Sequence, residues 1–129
     1  TPIDFATACI IPLIKAGYID ILTTTCANIY HDIQRLKSSQ WFEVNPNQGD
    51  VALRQAGWTR IYDSAFPDKD LFTADRLVTQ LVQQLDFNHA MTTTQFHYLL
   101  AKNLARIGKK ISGLNNSLLV QAYNHRLPI

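Results

Sequence analysis

The residue types able to do chemistry in this chain concentrate in Ile19-Asp-Ile-Leu-Thr-Thr-Thr-Cys-Ala-Asn-Ile-Tyr-His-Asp32. An apolar, β-branched run leads into small and hydroxyl-bearing residues, and these lead into a helical pattern. A strand–turn–helix of this kind sets backbone N–H groups and threonine hydroxyls at a helix N-terminus. Unpaired N–H groups and the helix dipole both favour negative charge there, so the turn suits a phosphate or another anion. Most such turns bind nothing, and the pattern alone does not make a site. His31 adds a ring that donates, accepts or packs. Asp32 adds a carboxylate that either meets a ligand or simply complements the helix dipole. Cys26 stands where a helix N-terminus can activate a thiol, although an ordinary turn thiol is the plainer reading.

Other polar residues carry less. His89, His97 and His125 show no metal-ligand spacing and read as structural or exposed. Lys102, Arg106 and Lys110 recur every four residues, as a solvated helix face does. A nucleic-acid ridge would need an aromatic platform beside them, and none accompanies the stripe.

The elements that must position the turn follow from patterning. The chain has 129 residues, 47% apolar and 17% charged, which fits one globular domain with a real core. A net charge of +2 points to neither nucleic acid nor membrane. No apolar run is long enough to cross a bilayer and no signal segment opens the chain, so a cytoplasmic location is the expectation. Cys9 and Cys26, the two cysteines, lie in different elements and are expected to be reduced thiols.

Residues 5–16 read as a buried helix, kinked or started late by Pro12 and stopped at Gly17. Residues 19–24 read as a strand apolar on both faces, hence one inside a covered sheet. A helix follows from Ala27 or Asn28 to about Lys37, then a loop over 38–49. A short helix capped by Asp50 ends before Gly57. Residues 58–62 give a second strand. Pro67-Asp-Lys-Asp breaks the chain and starts a helix with Leu71, Leu77, Leu81 and Leu85 inward, Val78 and Val82 alongside. Thr92-Thr-Thr94 opens another long helix, and Asn115 or Asn116 the last, which runs through Asn124. Leu127-Pro-Ile129 looks like the beginning of a further strand. Two strands make a marginal sheet. The expectation is therefore a partial domain over 1–129, cut at both ends, whose other strands come from further sequence or another chain.

Four blocks in order resemble the deoxyhypusine synthase family, most closely its bacterial deoxyhypusine-synthase-like branch. Thr1-Pro2 with Cys9-Ile-Ile-Pro-Leu-Ile-Lys-Ala-Gly17 is similar to the family's helix after Gly-Ala-Met-Thr-Pro-Ala-Gly. Ile19-Asp-Ile-Leu through Asn28-Ile-Tyr-His-Asp32 is similar to the bacterial strand ending Thr-Gly-Ala-Asn-Leu-Tyr-His-Asp. Asp50-Val-Ala-Leu-Arg-Gln-Ala-Gly-Trp-Thr-Arg-Ile-Tyr-Asp63 resembles Asp-x-x-Leu-Arg-x-x-Gly-x-x-Arg-Ile-Tyr-Asp. Met91-Thr-Thr-Thr-Gln-Phe-His-Tyr-Leu-Leu100 and Leu127-Pro-Ile129 follow in the expected order. The resemblance spans nearly the whole chain.

That resemblance implies an α/β fold, part of a Rossmann-like three-layer domain with a mostly parallel sheet, helix-rich in this portion. It implies homotetramers, or a hetero-oligomer with a chain carrying the remaining half, and NAD and polyamine sites shared across a dimer interface. It implies an NAD-dependent aminobutyl transfer from spermidine, through an active-site lysine, to a protein lysine or a putrescine-like amine. Carried over residue by residue, Thr24, Thr25, Cys26, Ala27 and Asn28 fall at the cofactor, and His31 and Asp32 at the substrate. Three departures stand out. Cys26 replaces a glycine. Asp4 and Ala6 replace glycines near the first NAD segment. Tyr30 and His31 stand where the eukaryotic branch has acidic residues, and a cationic polyamine wants a carboxylate that His31 cannot be. The family's Trp-Gly-Lys segment does not occur in these 129 residues, and Lys102, Lys109 and Lys110 read as solvated. The alternative is thus a non-catalytic paralogue or subunit that completes or regulates an active partner, or a plain interaction module that has lost ligand binding.

Overall fold

The computed structural model describes residues 6–38, 40–47, 49–107, 111 and 113–129. A π-helical turn at Ala6–Ile10 runs into α1 (Ile11–Lys15), with Pro12 in the first turn of α1. Gly17, at φ +75°, ends α1. Its N–H donates to Ile14 O and that of Tyr18 to Leu13 O, a Schellman stop that a left-handed glycine makes at little cost. The expected Asp4 position lies outside the described residues.

Residues 19–24 form no strand ladder. The segment crosses between helices with one backbone bond to the further strand expected to begin at Leu127, Leu22 N–H to Pro128 O at 3.0 Å. Apolar β-branched residues favour extended backbone, but a strand is defined by pairing, and here a single rung is made. Ile19 and Leu22 instead pack on a small core of Ile11, Ile14, Leu118, Ala122 and Leu127.

The sheet formed by the described residues is small and antiparallel, and the expected mostly parallel sheet is not formed among them. β1 (Phe42–Glu43), β2 (Trp58–Ile61) and β3 (Ser64–Pro67) lie in the order β1-β3-β2, with Phe42 opposite Ala65 and Thr59 opposite Phe66. Both β1, inside the expected loop, and β3, which runs up to the expected break at Pro67, lie where patterning gave no strand. The β2–β3 turn puts Tyr62 at φ +52°, a place where glycine or asparagine usually signals a hairpin. Arg60 holds it from outside the turn, donating to Tyr62 O at 2.6 Å and to Asp50 Oδ1 at 2.6 Å. Asp50 therefore opens α3 (Asp50–Gln55) as its first residue, with Gly49 at the cap position.

The remaining helices follow the predicted stripes. α2 spans Cys26–Arg35, α4 Asp68–Val82, α5 Thr93–Ile107 and α6 Leu118–Asn124, the last preceded by a 3-10 turn at Leu114–Asn116. Thr92 and Gln95 form a reciprocal capping box on α5: Gln95 N–H donates to Thr92 Oγ1, and Thr92 N–H to Gln95 Oε1. Ile29 and Ile33 from α2 meet Leu77 and Leu81 from α4, Leu100 and Leu104 from α5, and Leu119 and Val120 from α6 in the main core. Each such side chain contributes roughly 1.5–3 kcal/mol by leaving water. Lys102 and Arg106 face solvent, and Arg106 donates to Gln84 Oε1; Lys109 and Lys110 lie outside the described residues. No described helix is long and apolar enough to cross a membrane.

Candidate functional site

The start of α2 is built by its own sequence. Thr25 takes an extended conformation, φ −87° and ψ 152°, and its Oγ1 accepts the Asn28 N–H at 3.3 Å. This N-cap starts the helix at Cys26, one or two residues before the Ala27 or Asn28 start read from the sequence. The Asn28 side chain donates to Thr24 Oγ1 at 3.0 Å, so Thr24, Thr25 and Asn28 brace one another. Cys26 and Ala27 are exposed, and their N–H groups have no hydrogen-bond partner among the described residues. Two free donors at the positive end of a ten-residue helix form an anion-receptive edge. Cys26 sits in ordinary helical backbone, without positive φ, so replacing a glycine there introduces no strain.

One turn along, His31 is half-buried. Its Nδ1 lies 2.8 Å from Gln34 Oε1; with the amide oxygen accepting, the neutral ring carries its proton on Nδ1 and leaves Nε2 as an acceptor. Tyr30 and Trp41 pack edge-on to the ring at 5.5 and 6.2 Å, and Phe66 tilts against it at 6.4 Å. β1 and β3 thus matter here: Phe66 of β3, and Trp41 just before β1, wall the imidazole. Gln34 Nε2 and Trp41 Nε1 are buried donors with no hydrogen-bond partner among the described residues. Tyr30 is committed elsewhere, donating to Asp75 Oδ1 of α4 at 2.6 Å. Burial, then the Asp75 bond, pushes its phenol well above the ordinary tyrosine range.

Asp32 points the other way. It is 5% exposed, and its carboxylate accepts from Ser117 Oγ at 2.7 Å, Leu118 N–H at 2.9 Å and Leu119 N–H at 3.0 Å. Those are the cap and first two residues of α6, so Asp32 closes that helix's positive end from inside the protein. Burial pushes the carboxyl above its ordinary value, against the pull of Ser117 and the two N–H groups. The structure therefore brings Thr24 to Asn28 together at an open edge, sets His31 behind it, and spends Asp32 on α6.

Ser117 is the functional neighbour missed in the sequence. A serine directly before Leu118-Leu-Val120 is a readable N-cap, but Asn115 and Asn116 offered competing starts. His97 is buried, donating from Nδ1 to Ile129 O at 3.0 Å, while His89 and His125 are exposed. No group of three His, Cys, Asp or Glu side chains among the described residues is placed to hold a metal. Cys9 and Cys26 are free thiols. The described lysines, Lys15, Lys37, Lys69 and Lys102, are all exposed.

Comparison with known proteins fixes the lineage. A family model described as deoxyhypusine synthase matches residues 6–129. A deoxyhypusine synthase-like protein of Nostoc punctiforme is 37% identical over all 129 residues, which cover 33% of that relative. The like-named protein of a second Nostoc is 36% identical over the same span, 34% of its length. A probable deoxyhypusine synthase 2 of Methanosarcina acetivorans is 31% identical over 117 residues, 91% of this chain and 32% of that one. The chain spans about one third of the length of these curated relatives. With its open α2 edge in the segment that carries the bacterial pattern, the chain belongs to the deoxyhypusine synthase family.

Proposed function

We propose that this chain supplies the cofactor-binding edge of an NAD-dependent aminobutyl transferase acting on polyamines. The observation that carries the reading is the pair of free N–H groups, Cys26 and Ala27, braced by Thr24, Thr25 and Asn28 at the start of α2. A dinucleotide's pyrophosphate fits that donor set. Bound there, the nicotinamide supplies a hydride acceptor for oxidation of an amine. Around it, Thr25 and the two N–H groups hold negative charge. His31 presents Nε2 as an acceptor to an amine N–H, in a wall of Tyr30, Trp41 and Phe66 that keeps water off one side. Asp32 serves by position, locking α6 to the helix that carries the edge.

A lysine nucleophile is activated by burial or a neighbouring cation, and every described lysine is exposed. In this reading the nucleophile comes from outside the described residues, and the surrounding Rossmann-like parallel sheet, beginning at the Leu22–Pro128 rung, is completed there or by a partner chain in an oligomer in the cytoplasm. The same exposure favours a second reading, a subunit that binds cofactor and completes an active partner without reacting itself. Following NADH absorbance with NAD and spermidine in the purified assembly separates the two. NADH formation that is lost on mutating the α2 edge supports the transferase. NAD binding with no NADH from any assembly containing this chain supports the partner role and overturns catalysis.

A further inference from the structure

We propose that Gln34 is a positioning residue that holds His31 in the tautomer protonated on Nδ1, so that the ring meets an N–H of the substrate and not an acceptor. The proposal rests on the reading of His31 as the group that faces the amine. Gln34 stands three residues after His31 on α2, so the two side chains share a face of the helix. It is 0% exposed, although glutamine is mostly a surface residue. Its Oε1 lies 2.8 Å from His31 Nδ1, while its Nε2 is buried with no partner among the described residues. A buried donor without an acceptor costs stability, and an apolar side chain of similar size escapes that cost. Packing alone therefore does not account for an amide at this position. The oxygen is the part in use, and it is used on the imidazole.

The neighbours fix what Gln34 does not. Tyr30 and Trp41 meet the His31 ring edge-on, and Phe66 tilts against it. Tyr30 is itself held by Asp75, and Phe66 is fully buried. These contacts limit rotation of the imidazole, which leaves the choice of tautomer to the hydrogen bond at Nδ1. An amide oxygen there can only accept, so the proton stays on Nδ1 and Nε2 keeps its lone pair. Turning the amide over would point its NH2 at Nδ1, move the proton to Nε2 and reverse what the ring offers a ligand. Every group in this arrangement falls between Tyr30 and Asp75, away from both ends of the chain.

Nitrogen-15 NMR of the labelled protein in alkaline buffer, where imidazoles are neutral, reads the tautomer directly. The His31 signals are assigned by their loss in His31→Gln. The wild type is expected to show a proton-bearing Nδ1 and a bare Nε2. Gln34→Met, apolar and of similar size, should move the proton to Nε2, with a melting temperature that holds or rises because the unpaired amide is gone. Spermidine added with NAD should shift the wild-type Nε2 signal saturably, and Gln34→Met should weaken that titration about tenfold, as loss of one hydrogen bond does. A wild-type ring protonated on Nε2 overturns the proposal whether or not the variant folds. So does a proton that stays on Nδ1 in Gln34→Met, or spermidine affinity that holds when the tautomer moves. Nδ1 protonation with no spermidine shift in the wild type is a different failure, that of the amine-facing reading beneath the proposal.

Discussion

Two helix N-termini in this molecule are treated in opposite ways. At α6 the cap hydroxyl of Ser117 and the N–H groups of Leu118 and Leu119 all converge on a buried carboxylate from α2. At α2 the cap is Thr25, and the N–H groups of the exposed Cys26 and Ala27 have no partner among the described residues. Both ends carry the same positive dipole. The first is neutralised from within and holds two helices together; the second is left open toward solvent. The difference teaches that chemistry at a helix end depends on whether the fold has already supplied an anion. It also explains why Asp32 and His31, adjacent in sequence, serve different ends.

Breaking the closed end should have the largest effect. Asp32→Ala leaves the Ser117 hydroxyl proton and the Leu118 and Leu119 N–H groups without their acceptor, and is expected to cost about 3 kcal/mol, near 10 °C in melting temperature. Calorimetric melting checks it, and a loss under about 2 °C would show that α6 does not depend on this carboxylate. The pH dependence sharpens the same point. Because the Asp32 carboxyl is raised in the folded state, the folded protein holds its proton more tightly than the unfolded chain. Stability from this group is full below the ordinary carboxyl range and falls as pH climbs through the raised value. Asp32→Asn, less stable throughout because its amide N–H groups oppose α6 donors, should lack that fall. Urea unfolding of both proteins from about pH 4 upward measures the difference, and parallel curves would contradict it.

The open end should matter less to stability. Thr25→Ala removes one cap bond at an exposed site and is expected to cost about 1 kcal/mol, read from the same melts. A cost above that of Asp32→Ala would invert the comparison.

How much of this was legible follows from how each feature is encoded. The inward stripes of α4 and α5, the Gly17 stop and the Thr92 cap are local periodic signals and were readable. The α2 edge was readable as strand–turn–helix, although its strand half pairs only through Leu22. The β2–β3 hairpin was not, because Tyr62 stands where a glycine would announce the turn and the Arg60 side chain that caps Tyr62 O is no turn signal. Asp32's partner was hidden for another reason: Ser117 lies 85 residues away, and no local pattern encodes that contact. The walls around His31 came from Trp41, which the sequence placed in a loop, and Phe66, to which patterning gave no element.

Cys26→Pro asks directly whether the α2 edge receives a dinucleotide's negative charge. Proline is favoured at a first helical position, and Thr25 already has the extended backbone it requires, so the fold should tolerate the change. The substitution deletes one of the two free N–H donors. Isothermal titration of NAD into the wild-type and variant proteins is predicted to show about tenfold weaker binding in the variant at equal melting temperature. Equal NAD affinity in both would contradict the account.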